Sequence, residues 1–244
     1  MNEFSIFPDR HKITGSAEYI SFTRLFLLLF SLIYLSCLSA TAHAQTQLGS
    51  DIDGAVSQLT SNYSVSLSAD GYRIVIGAQN HDGNGSRCGH TRVFHWSGAA
   101  WIQLGSDING EAAEDYSGVS VAISADGNRV AIGADGNDGN GDSSGHVRVF
   151  HWSATDWVQL GSDIDGEAIG DQSGISVSLS FDGNLLAIGA PGNDDNGENS
   201  GHVRVYQWTG SAWAQRGADI DGEAAWDNFG NSVSLSSDGN RLAI

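Results

Sequence analysis

The sequence predicts an all-β fold, a β-propeller of four-stranded antiparallel blades, and three observations predict it. A unit of 56 residues repeats along the chain, each unit holds four short apolar runs, and turn-forming pairs separate those runs. Leu48, Leu104 and Leu160 each open Leu-Gly-Ser-Asp-Ile, with Arg216 in the fourth register. Trp101, Trp157 and Trp213 recur at the same interval, as do Trp96, Trp152 and Trp208. Residues 101–156 and 157–212 agree at 35 of 56 positions, so a repeated residue can be repeated by descent and not by need.

Within the unit that opens at Ser173, the first run, Ile175 to Ser180, alternates Val177 and Leu179 with serines, the period of a strand. Asp182-Gly183 then forms a tight hairpin, because glycine accepts the positive φ that such turns need. Leu185 to Ala190 is the second strand, and an eleven-residue polar loop, Pro191 to Gly201, follows it. The third strand, His202 to Trp208, carries Val203 and Val205 on one face and Tyr206 and Trp208 on the other, so both faces should be covered. Thr209 to Ala212 turns the chain into a fourth strand, Trp213 to Ile220, and Asp221 to Asn231 leads to the next unit. No stretch has a helical period. Small residues on the first strand fit the crowded inner part of a radial wedge, and aromatics on the third and fourth fit its wider outer part. A tandem β-sandwich or another β-solenoid is the alternative; a parallel β-helix would need shorter coils.

The chain has 244 residues, 11 basic and 29 acidic, a net charge of −18. Binding to nucleic acid is excluded as an expectation, since neutralising phosphates needs a basic face. Residues 1–44 read as a signal peptide: Arg10, Lys12 and Arg24 precede the apolar run Leu25–Leu38, and Ala42-His43-Ala44 forms a cleavage site. That run is short for a bilayer, so the mature chain should have no membrane span and should be secreted or held at the cell surface. Residues 45–244 then form the propeller domain, three full blades with partial blades at both ends. Cys88 alone remains in it, at a position where the other units have Ser144 and Ser200, and is expected to be a small buried thiol.

The units resemble FG-GAP repeats of the integrin-α type. Phe229-Gly230 followed by Ser232-Val233-Ser234-Leu235 matches the family's opening, and Gly189-Ala190-Pro191 matches its Gly-Ala-Pro. Ser173-Gly174 and Ser117-Gly118 replace Phe-Gly, Ser61-Asn62 stands in the first unit, and Gly77-Ala78 and Gly133-Ala134 lack the proline. The Ser-x-Asp-Gly-Asn segment is similar to TolB-like and WD-type propeller repeats as well. The resemblance implies a calcium loop between the first two strands, but Ser180-Phe181-Asp182-Gly183-Asn184 supplies one carboxylate there, which fits a turn without metal.

Strand direction places the long loops 135–145 and 191–201 on one rim with the inter-blade connections 107–118 and 163–174, and that rim should be strongly negative. In integrin-like propellers, the resemblance implies, these loops form the ligand-binding face. Asp138-x-Asn140-x-Asp142 and Asp163-x-Asp165-x-Glu167 place oxygen side chains at alternate positions and are the candidate metal ligands, with Ca2+ the expected ion. Neither has a complete EF-hand loop, and Asp and Asn also favour turns by local hydrogen bonding. His90, His146 and His202 recur with Arg92, Arg148 and Arg204, a repetition that suits packing and strand pairing better than one catalytic centre.

These features predict an exported repeat protein for adhesion or ligand binding, with an extracellular protein or a glycan as partner. The alternatives are a glycan-active hydrolase or lyase on the same scaffold and a purely structural repeat array. Gln45 to Gly49 aligns with Trp101 to Gly105, the start of a fourth strand, and Arg241 to Ile244 falls inside a second strand. An incomplete ring is therefore expected, poorly stable or self-associating by its open edges.

Overall fold

The computed structural model describes residues 46–54 and 63–244. Residues 1–44, which the sequence predicts to be a signal peptide, lie outside the described residues. Blade 1 comprises β1 (Tyr63–Leu67), β2 (Arg73–Ala78), β3 (His90–Trp96), β4 (Trp101–Gln103) and β5 (Ile108–Asn109). Blade 2 comprises β6 (Ser120–Ile123), β7 (Arg129–Ala134), β8 (His146–Trp152), β9 (Trp157–Gln159) and β10 (Ile164–Asp165). Blade 3 comprises β11 (Ser176–Leu179), β12 (Leu185–Ala190), β13 (His202–Trp208), β14 (Trp213–Gln215) and β15 (Ile220–Asp221), and the pair β16 (Ser234–Leu235) and β17 (Leu242–Ala243) follows. Among the described residues the strands of each blade pair antiparallel, first to second to third to fourth, as in an incomplete propeller, and isolated parallel bridges join Gly89 to Ser117, Gly145 to Ser173 and Gly201 to Phe229. Among the described residues no helix is long and apolar enough to cross a membrane.

The second and third strands fall where the alternation places them. The fourth differs: the sequence predicts one strand over Trp213–Ile220, but it is two short segments, β14 and β15, both paired to β13. Gly217 between them has φ +88, a left-handed conformation that takes the chain out of the pleat for a few residues before Ile220 rejoins the ladder. Gly105 and Gly161 repeat the break in the other blades.

Blade 2 is buried on both faces. Val130, Ile132, Phe150 and Trp157 of blade 2 pack with Val75, Val93 and Ile108 of blade 1. Ala131, Val147, Val149 and Ile164 of the same blade pack with Leu186, Ile188 and Tyr206 of blade 3. Alternation with period two thus feeds two inter-blade cores from single strands. Polar ties reinforce them: the Trp157 and Trp213 indoles donate to the Leu104 and Leu160 carbonyls at 2.8 and 2.9 Å. The Trp101 indole donates likewise to Leu48 at 3.0 Å, so residues 48–53 lie against blade 1 as a preceding fourth strand would.

The tight turn between first and second strands is held by its own side chains. Asp182 Oδ1 accepts from Ser180 Oγ at 2.7 Å and from the Asn184 amide at 3.0 Å, and these bonds hold its carboxyl below the ordinary range. Cys88 is fully buried and its sulfur accepts from the Asn84 amide at 3.0 Å, the place that Ser144 and Ser200 hydroxyls take under Asn140 and Asn196.

Candidate functional site

The long loops and the inter-blade connections do share a rim, because they are hydrogen-bonded to one another. Gly166 donates to Gly145, Gly170 to Asp142 and Gln172 to Ser143, zipping 163–174 to 135–145. Two acids of this rim are internal fasteners. Asp115 and Asp171 are buried, and each accepts two backbone amides of its own connection, those of Glu111 and Ala112 or of Glu167 and Ala168.

Of the predicted ligands, Asp138 accepts the Ser143 amide at 2.8 Å and Asn140 donates to the Gly166 carbonyl at 2.7 Å, while Asp142 is exposed. Asp163 accepts from Gln159 at 2.6 Å, and Asp165 presents its carbonyl to Arg204 at 2.8 Å. Glu167 pairs with Arg204 at 3.3 Å. Asp163 and Glu167 fall into two different groups. Glu111, His146 and Asp163 offer ligand atoms within 4.8 Å of one another, and so do Glu167, Asp195, His202 and Asp219. The histidines of these groups, which their recurrence assigns to packing and strand pairing, stand beside carboxylates as candidate ligands. Their signal was there: Glu, His and Asp keep the same spacing in both units.

The recurring arginines join blades. Arg92, Arg148 and Arg204 donate to the carbonyls of Asp53, Asn109 and Asp165 in the preceding connection, and stack over Phe94, Phe150 and Tyr206. Arg148 also pairs with Glu111 at 3.2 Å. The histidines beside them are buried. Burial and the nearby His81 push His90 down to about 4, and burial together with Arg148 lowers His146.

Asp135 stands where the third unit has Pro191 of Gly-Ala-Pro. Its Oδ1 is buried without a partner, and burial pushes its carboxyl up to about 6 from 3.8. Because the folded value lies above the unfolded one, the folded state is favoured by protonation, and stability is lost as pH rises from 3.8 through 6. Asp135→Asn is expected to be more stable than the parent by up to about 3 kcal/mol at pH 7.5, with the difference gone near pH 4. His90 has the opposite sign over 4 to 6.5, so the parent's own pH curve blends the two effects. Paired urea melts of parent and variant at both pH values isolate Asp135. A constant difference across pH would contradict the burial of an ionisable carboxyl.

Clefts recur with the repeat. Asp163, Ile164, Tyr206 and Trp213 line one, and Asp107, Ile108, Phe150 and Trp157 line its counterpart one unit earlier. Such copies present the same surface on successive blades.

Residues 163–206 match the family model for the FG-GAP repeat. No curated protein matches the chain. Among solved structures, the chain is similar to a Bacteroides uniformis protein assigned as a 6-phosphogluconolactonase, at 14% identity and a TM-score of 0.51. The match covers 81% of this chain and 51% of that one, so this chain spans about half the length of its structural relative. At that identity the likeness concerns the fold.

Proposed function

We propose that this FG-GAP-type repeat protein is exported and serves adhesion or ligand binding through its acidic rim. The partner is an extracellular protein with a cationic surface or a glycan, and Ca2+ at the rim supports the contact. The observation that carries this proposal is the convergence of Glu111, Asp142, Glu167, Asp195 and Glu198 as exposed carboxylates on loops fastened to a rigid sheet stack. A rim of one sign attracts cations and cationic partners and suits a surface presented blade after blade.

Calcium binding to the folded state alone raises the melting temperature, and a Ca2+ concentration ten times the Kd contributes about 1.4 kcal/mol. Millimolar Ca2+ is expected to give a heat of binding and a higher melting temperature, both reduced in a chain carrying Asp138→Asn and Asp142→Asn. No heat and an unchanged melting curve would remove calcium from the proposal. For the ligand, the chain is expected to bind an immobilised Arg-rich peptide or members of a glycan array, with affinity falling as salt rises. Release of reducing ends from a polysaccharide would favour the glycan-active enzyme instead.

A further inference from the structure

We infer that His202, Glu167, Asp195 and Asp219 form a binding site for a divalent first-row transition metal where the connection 163–174 meets blade 3. Their ligand atoms lie within 4.8 Å of one another. His202 is fully buried, and neither ring nitrogen has a hydrogen-bond partner. Its Nδ1 faces Glu167 Oε2 at 3.8 Å and Asp219 Oδ2 at 3.9 Å, beyond hydrogen-bonding distance. A buried imidazole left without partners is costly, and a cation shared with the carboxylates satisfies its Nδ1.

The donor set decides the metal class. Imidazole nitrogen suits Zn2+, Cu2+, Fe2+ and Ni2+, whereas calcium takes six to eight oxygens. Tetrahedral zinc with bonds of about 2.0–2.2 Å brings its ligands to within about 3.5 Å of one another, so this group needs only a modest contraction. Glu167 and Asp195 are exposed, so small rotations of their side chains supply it. Arg204 holds Glu167 Oε1 at 3.3 Å and leaves Oε2 facing the imidazole.

The repeats single out this copy. Glu111, His146 and Asp163 keep three of the four groups one unit earlier. The first unit keeps His90 and Asp107 but has Ala55 in place of the glutamate. Asp195 replaces Gly139 and Gly83, so the third unit departs from the duplicated pattern by adding a ligand. Descent accounts for the shared residues and leaves this gain unexplained; a metal accounts for both.

The full chain, stripped with EDTA and carrying no polyhistidine tag, is titrated with Zn2+ by calorimetry and with Co2+ by visible absorption. One site tighter than any other is expected, with Co2+ d–d bands of a low-coordinate nitrogen and oxygen set. Asp195→Gly restores the residue of the other units on an exposed loop, and should weaken the tight site at least tenfold while leaving the far-UV spectrum unchanged. His202→Gln should abolish the Co2+ bands; if that variant misfolds, Asp195→Gly carries the test. Absence of zinc binding by the parent, or parental affinity in folded Asp195→Gly, overturns the inference. Asp138→Asn with Asp142→Asn should leave zinc binding intact, so failure of the calcium proposal and failure of this one are distinguishable.

Discussion

Gly133→Ala is expected to destabilise the protein by more than about 4 kcal/mol, although alanine is otherwise a mild replacement. Gly133 does not have positive φ, so its backbone would accept a side chain. Space is what fails. A methyl there would overlap the Gly174 carbonyl oxygen at the start of blade 3, sit 2.8 Å from the Gly174 carbonyl carbon, and crowd Ser120 Oγ at 2.5 Å. The same contact joins Gly77 to Gly118 and Gly189 to Gly230, so the glycine of Gly-Ala-Pro in one blade touches the glycine of Phe-Gly in the next. Ser120 Oγ and Ser176 Oγ donate to those carbonyls at 2.6 and 2.7 Å, which fixes the two backbones at that distance. The separation of effects comes from Gly170→Ala. That residue has φ +82 with nothing within 4 Å of an added methyl, so only backbone strain of about 1–2 kcal/mol is expected. Urea melts of both variants check this, and equal losses at the two sites would refute the inter-blade clash.

Trp157→Ala should cost about 3–5 kcal/mol, the range for removing a buried large aromatic. Trp157 belongs to the core between blades 1 and 2, lies 5.4 Å from the Trp152 ring, and binds the Leu104 carbonyl across the seam. Trp157→Phe keeps most of the apolar contact and orphans that carbonyl, a loss of about 1–2 kcal/mol. Trp101 makes the corresponding bond to Leu48 but is less buried, so Trp101→Ala should cost less than Trp157→Ala. Urea midpoints rank the three, and hydrogen exchange should speed up on both sides of the affected seam first. A Trp101→Ala loss equal to that of Trp157→Ala would show that burial does not set the cost.

The sequence by itself determined the repeat, the second and third strands and the tight turns. β12 and β13 coincide with the runs Leu185–Ala190 and His202–Trp208, and the Asp182-Gly183 turn sits where the pair predicts it, because alternation and turn chemistry act over a few residues. The location of the acidic rim also followed, since antiparallel strands send alternate connections to the same end. Tertiary structure alone decided which carboxylates meet. Asp163 meets His146 of its own blade, whereas Glu167, close to it in the chain, meets His202 of the next. It also decided that Asp135 is buried and that Asp115 and Asp171 are fasteners. The reason is physical: a strand's period is set by neighbouring dihedrals, whereas desolvation and ligand geometry depend on side chains brought together only when one blade packs on the next.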